Sequence, residues 1–204
     1  MAVFEFRRHS IKDGDPKGTI GPKGKLFARA VGERQMQNKK FDRYCISTVP
    51  RTKQTLEAIA DGAGWSDIEE KTSFAHIYLV SPELQEMWRV CHAAEKRGED
   101  MVAAASSHDT ELVRRTSVEV AQLFRTWART LPREERVLVI GHSPHLEFLA
   151  LGLTGLKMPG LKECQGFRIH ASVLPDGFSV KCSLVHLTND LDPTELRRTL
   201  FEGM

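Results

Sequence analysis

Apolar residues in this chain follow two periodicities that alternate along its length. Residues 3–9 (Val-Phe-Glu-Phe-Arg-Arg-His) begin as a short β-rich run and lead into turn residues, the pattern of a strand feeding a helix. Gly14, Asp15-Pro16, Gly18 and Gly21-Pro22 mark residues 10–23 as a loop. Residues 24–37 carry apolar side chains at helical spacing, and residues 43–48 form a second short strand. Pro50 then opens a helix to about residue 60, ending near Gly62 and Gly64, because its missing N–H would be unpaired in a first turn anyway. Residues 73–80 read as a third strand. Ser81, Pro82 and Glu83 supply an N-cap, a first-turn proline and an acid suited to the helix dipole, opening a helix to about Lys96. A break at 97–100 precedes residues 101–106, which fit a short strand and the start of a helix equally. Residues 110–131 form a long amphipathic helix with Leu112, Val113, Val120, Leu123, Phe124 and Trp127 on its apolar face. A strand at 137–141, a helix at 145–153 stopped by Gly155, and strands at 166–173 and 178–187 complete the pattern.

Strands alternating with helices predict an α/β protein whose sheet is parallel or mostly parallel and covered on both faces. No repeat, low-complexity tract or linker interrupts the 204 residues, and 41% hydrophobic content suits one domain with a substantial core. No apolar run approaches the roughly 20 residues of a membrane span, so no membrane partner is expected. The first residues, MAVFEFRRHS, lack the apolar core of a secretory signal. Cys45, Cys91, Cys164 and Cys182 stand apart with no CxxC pair, which predicts small buried thiols in a reducing, cytoplasmic setting. The net charge of +2 conceals an asymmetry. Residues 1–53 hold 13 Lys+Arg against 5 Asp+Glu, a balance of +8, and the remainder holds 16 against 22, a balance of −6. A basic N-terminal quarter can focus an anionic substrate. Without a basic helix interleaved with aromatics, nucleic acid is not an expected partner.

The candidate chemistry lies where strands end. His9 closes the first apolar run and His142 closes Val137-Leu138-Val139-Ile140-Gly141, while Arg51 stands one residue into the helix after the second strand. In open α/β sheets the ligand crevice lies at the carboxyl ends of the strands. Arg8 and Arg51 each present a planar fork of donors that matches phosphate oxygens. A phosphoryl group in transfer carries charge on its equatorial oxygens, which two guanidinium groups and His142 can hold. His9, neutral at cellular pH, is then placed to attack in line and form a phosphohistidine that water cleaves.

Arg8-His9, Ser47-Thr48-Val49-Pro50-Arg51-Thr52-Lys53-Gln54-Thr55 and Val137–His142 resemble the three blocks of the histidine phosphatase superfamily, also called phosphoglycerate-mutase-like. Gly21-Pro22-Lys23-Gly24 with Ala28 resembles that family's entry to its first helix, so the likeness runs from residue 3 to about 155. Gly141-His142-Ser143-Pro144-His145-Leu146-Glu147, with Arg51-Thr52-Lys53-Gln54-Thr55, is most similar to the phosphohistidine phosphatase-like branch. The resemblance implies a three-layer α/β/α fold and a site without metal or other cofactor. It makes His9 the nucleophile, with Arg8, Arg51 and His142 around the phosphate. It also implies a phosphorylated small molecule or a phosphohistidine protein as partner.

This chain departs from that pattern in two ways. Ser10 and Ser143 follow the two histidines where the family usually has glycine, so Ser10 is either a phosphate donor or a narrowing of the pocket. Leu84-Gln85-Glu86 resembles the context of the family's proton-donating glutamate, with Glu83 and Asp109 in reserve. Glu86 nevertheless falls inside a helix, and Asp109 has the position of an N-cap for the long helix.

Other readings rest on narrower signals. Gly141-His142-Ser143-Pro144-His145 approaches an esterase nucleophile elbow, but His145 replaces the closing glycine and Pro144 has no N–H for an oxyanion hole. A phosphoglycerate-mutase-type isomerase is disfavoured because Ser10-Ile11-Lys12-Asp13 lacks the serine and asparagine spacing such enzymes use. A non-catalytic phosphate-binding protein is the remaining alternative.

Overall fold

The computed structural model describes residues 2–12, 18–66, 68–71, 82–171 and 183–187. Strand β1 (Ala2–Arg8) is followed by helix α1 (Pro22–Val31), a π-helical turn (Gly32–Met36), strand β2 (Arg43–Ile46) and helix α2 (Pro50–Ala63). A short strand β3 (Glu70–Lys71) precedes helices α3 (Pro82–Lys96), α4 (Met101–His108) and α5 (Thr110–Ala128). Strand β4 (Arg136–Gly141), helix α6 (His145–Thr154) and strands β5 (Gly166–Ala171) and β6 (Ser183–Leu187) complete the order.

The strands form one six-stranded sheet in the order β3-β2-β4-β1-β5-β6. β3, β2, β4 and β1 are mutually parallel, whereas β5 runs antiparallel to β1 and to β6. The mostly parallel sheet expected from the alternating pattern is therefore present. β1 alternates its side chains between faces. Phe4 and Phe6 enter one layer, where Phe124 of α5 meets the Phe4 ring edge-on at 4.9 Å and Phe167 of β5 stacks on Phe6 at 4.9 Å. Leu146, Leu149 and Ala150 of α6 close that layer. The opposite face packs Tyr44, Ile46, Leu138 and Ile140 against Phe27, Ala28 and Val31 of α1 and Leu56 and Ile59 of α2. This gives three layers, α/β/α. A satellite cluster seats α3 and α4 on the outside of α5 and α6 through Leu84, Met87, Cys91, Met101, Leu112 and Phe148.

The same face of β1 that looks toward α1 also carries Glu5 and Arg7, both 1% exposed. Burial alone would raise the Glu5 carboxyl, but Arg7, Lys39 and Arg168 converge on it and hold it at about 2. A buried carboxylate survives there because three cations from separate elements share it.

Local chemistry explains where the elements begin and end. Pro22 and Pro50 occupy first-turn positions of α1 and α2. Gly64 (φ 70°) and Gly155 (φ 72°) end α2 and α6 in the left-handed region. Asp109 caps α5 by accepting from Leu112 N at 2.8 Å, as its position in the sequence predicts.

Two expectations shift and one open assignment resolves. Residues 101–106, open between strand and helix, are helical because Asp100 accepts from Ala103 N at 2.8 Å and caps α4. The helix expected over 24–37 begins at Pro22 and passes into the π-helical turn at Gly32. There α2 comes so close that a Cβ on Gly32 would lie 2.1 Å from Ile59 O. Leu123 is 40% exposed rather than on the apolar face of α5, and the buried stripe includes Thr116 and Ser117 instead. Cys164 lies in a turn with φ 56°, while Cys45, Cys91 and Cys164 are free, buried thiols as expected. The strand expected at 73–80 lies outside the described residues, as do 172–173 and 178–182 of the last two strands. No helix among the described residues is long and apolar enough to cross a membrane.

Candidate active site

The parallel pairing of β1 with β4 puts Arg8 beside Gly141. The residues that follow, His9 and His142, therefore emerge side by side, with His9 N donating to Gly141 O at 3.0 Å to extend the ladder. Their ring centroids are 4.9 Å apart, tilted by 60°. β2, on the other side of β4, ends at Ile46 and delivers Ser47 and then Arg51 on the first turn of α2. Three adjacent parallel strands thus aim their carboxyl ends at one place, and His9, His142 and Arg51 meet there.

Hydrogen bonds fix the protonation of both rings. His9 Nδ1 lies 2.7 Å from the Ser10 carbonyl and must donate to it, which leaves Nε2 as the ring's lone-pair nitrogen. Arg51 Nε donates to His142 Nδ1 at 3.2 Å, so His142 carries its proton on Nε2 and donates it to Ser47 Oγ at 2.8 Å. Burial lowers the His9 pKa to about 3, and the nearby Arg51, Arg8 and Lys12 push the same way against the Ser10 bond. Burial likewise drives His142 far below its ordinary value, with help from His9 and Arg51. Both rings are neutral across the physiological range.

A set of buried hydroxyls braces this corner. Thr52 Oγ1 lies within 3.1 Å of Ser47 Oγ and bonds the Val49 carbonyl at 2.8 Å. Thr55 Oγ1 donates to Arg51 O at 2.7 Å and accepts from Ser10 N at 2.9 Å, tying α2 to the turn after His9. Ser10 is fully buried, and its hydroxyl donates to Gly24 O at 2.7 Å. The signal for Thr52 and Thr55 is their three-residue spacing on the face of α2 that also carries Leu56 and Ile59. Their partners are not visible in sequence.

Arg8 is held on the other side. Its Nη1 donates to Leu161 O at 2.6 Å and its Nη2 pairs with Glu95. Its Nε is buried without a partner among the described residues. Glu95 also lies 3.8 Å from Lys12 Nζ and 3.6 Å from His92 Nδ1, and these contacts hold its carboxyl well below the usual range. Lys12 and Glu95 thus join the site without any motif to announce them. Glu86, two and a half turns earlier on α3, pairs with Arg89 at the surface, and the described contacts do not connect it to either histidine. The side chain of Glu83 lies outside the described residues. Among the described residues, no group of three or more His, Cys, Asp or Glu could hold a metal ion.

Gly18 lies against the Arg51 guanidinium. Its φ of +68° is left-handed, and a Cβ there would lie 3.0 Å from Arg51 Nη1. Gln54 secures the same segment by accepting from Ile20 N at 2.9 Å. Gly18→Val both strains the backbone and displaces the guanidinium. We expect its affinity for vanadate to fall by about tenfold, since ångström-scale misplacement costs one to two orders of magnitude. Titration by calorimetry checks this.

The family model described as histidine phosphatase superfamily (branch 1) matches residues 7–174. Among solved structures, phosphoserine phosphatase from Entamoeba histolytica in complex with 3-phosphoglyceric acid aligns with a TM-score of 0.60 at 16% identity, covering 93% of this chain and 98% of that one. Phosphoglycerate mutase from Bacillus anthracis str. Sterne aligns with a TM-score of 0.55 at 16% identity, covering 89% and 92%. The protein histidine phosphatase SixA complexed with tungstate aligns at 0.53 and 16% identity, covering 95% and 99%. At such identity these likenesses establish the fold. No curated protein matches the sequence.

Proposed function

Because this chain belongs to the histidine phosphatase superfamily, we propose that it hydrolyses a phosphorylated substrate through a phosphohistidine formed on His9. The observation that carries this reading is the convergence of His9, His142 and Arg51 at one sheet edge, with the His9 Nδ1 proton fixed on the Ser10 carbonyl. In the proposed reaction His9 Nε2 attacks phosphorus as the bond to the leaving group breaks, and water then attacks the phosphohistidine to return free imidazole and inorganic phosphate. Arg51 and Arg8 hold the equatorial oxygens, with the buried, unpartnered Nε of Arg8 as one available donor, and His142 joins them by exchanging its Nε2 bond to Ser47 Oγ for one to phosphate. For Ser10 we propose a supporting part: its backbone and hydroxyl bonds stiffen the turn that aims His9.

The leaving group decides how much acid catalysis is needed. Glu86 is the proposed donor for an ester oxygen, but its surface pairing with Arg89 favours a leaving group that departs without a strong acid. The imidazole of a phosphohistidine protein fits, since with its distal ring nitrogen protonated it leaves as neutral imidazole, whose conjugate acid has a pKa of about 6.5, rather than as an alkoxide. A cavity of about 450 Å³ lies against Arg8, lined by Glu95, Glu99, Asp100, Lys162 and Glu163 and by none of His9, Arg51 and His142.

Incubation with a phosphohistidine peptide, a generic phosphate monoester and 3-phosphoglycerate, each in chelator, tests the proposal. The expected result is free phosphate from the first, slower release from the second and no 2-phosphoglycerate from the third. Binding of phosphate without any turnover would instead establish a non-catalytic phosphate-binding protein.

A further inference from the structure

Glu147 has no part in the proposed chemistry, yet it is among the most deeply buried polar residues in the molecule at 1% exposed. It lies in the first turn of α6, five residues after His142. Its Oε1 accepts two hydrogen bonds, from Ser143 Oγ at 2.7 Å and from Leu161 N at 2.8 Å. Its Oε2 is buried without a partner among the described residues. Burial raises its carboxyl, against the pull of those two bonds and of Arg8. A group so placed costs stability, because half of its hydrogen-bonding capacity is unused.

The two donors belong to the two halves of the phosphate site. Ser143 is the residue after His142. Leu161 lies in the loop that encircles Arg8: its carbonyl receives Arg8 Nη1 at 2.6 Å, Cys164 N donates to Arg8 O at 3.1 Å, and Arg8 N donates to Gln165 O at 2.8 Å. One carboxylate oxygen therefore links the peptide carrying His142 to the loop that orients Arg8. We propose that Glu147 is a positioning residue, which sets the spacing between His142 and Arg8 by bonding Ser143 and Leu161 through a single oxygen. This rests on the reading of the site as an oxyanion pocket.

Three variants and two readouts test it. Glu147→Gln keeps an acceptor oxygen and is expected to bind vanadate within about threefold of wild type. Glu147→Met fills the space without an acceptor and is expected to weaken vanadate binding at least tenfold, the scale of cost for a misplaced clamp. Ser143→Ala cuts one arm alone and is expected to fall between them. The second readout is the ring-nitrogen NMR spectrum of His142 in the free protein, which reports positioning whether or not the protein binds or turns over anything. It should shift in Ser143→Ala and Glu147→Met and stay in place in Glu147→Gln. A purely structural carboxyl would leave the His142 signals unchanged in every folded variant, and that result overturns the proposal. If Glu147→Met does not fold, Ser143→Ala decides: unchanged His142 signals overturn the proposal, and shifted signals support it. Wild-type protein that neither binds vanadate nor releases phosphate would sink the functional reading, while the His142 signals would still decide the role of Glu147.

Discussion

His9→Ala is expected to lower turnover of any substrate by about 10⁴-fold or more, because loss of a covalent nucleophile removes the entire two-step route. Oxyanion affinity should change far less, since Arg8 keeps Leu161 O and Glu95, and His142 keeps Ser47 and Arg51. His9 is 3% exposed and its tautomer is fixed, so alanine removes a well-held ring without unpairing another side chain. Truncating a buried ring still costs stability, on the order of 2–4 kcal/mol, so folding is checked by circular dichroism. Phosphate release and trapping of an acid-labile, alkali-stable phosphoenzyme measure the effect. A variant that retains a tenth of wild-type turnover would remove His9 from the reaction.

Acid should destabilise the protein in a window set by its buried imidazoles. His9 and His145 are lowered to about 3 by burial, and His142 is lowered further still. All three are neutral in the folded state while the unfolded chain titrates near 6.5. Their contribution is therefore complete above pH 6.5 and is lost as pH falls toward the folded values. At pH 5 each costs about 2 kcal/mol, or roughly 6 kcal/mol together. Glu147 acts in the opposite direction. Its raised carboxyl gains stability as pH falls toward the unfolded value, offsetting at most about 3 kcal/mol between pH 7.5 and 5. The net loss is thus at least roughly 3 kcal/mol, a large fraction of a typical folding free energy. Denaturant titrations at pH 7.5 and 5 measure it, and equal midpoints would show that the imidazoles are not buried as described. Phosphate or vanadate should restore part of the loss, by about 2.7 kcal/mol at a hundred times its dissociation constant.

The outline of the fold was legible because strand and helix periodicities are local. β1, β2, β4 and α6 fall within a residue or two of where the apolar runs end, and Pro50 and Asp109 act as their positions foretell. The meeting of His9, Arg51 and His142 was legible for a related reason: each closes or follows a strand, and parallel strands share one carboxyl edge. What remained hidden depends on distant partners. Nothing near Glu147 in sequence reveals Leu161, and nothing near Arg8 reveals Glu95. Glu86 drew attention through a three-residue context, whereas Glu95 reaches Arg8 because the satellite packing of α3 turns that face inward. The π-helical turn and the exposure of Leu123 likewise follow from how helices press on one another, which periodicity does not encode.

The interleaved strand order governs how the pocket can be born. β4 separates β1 from β2, so Phe4 and Tyr44 find their shared neighbours only when Val137 and Leu138 arrive. While a ribosome is still releasing residues before Arg136, the nascent chain already holds His9 and Arg51 but presents two strands with bare hydrogen-bonding edges. Such edges are templates for mispairing. Closure over so long a span of chain is slow. Any fragment ending upstream of β4 consequently carries most of the reactive side chains and none of the pocket, and is a substrate for chaperones or aggregation.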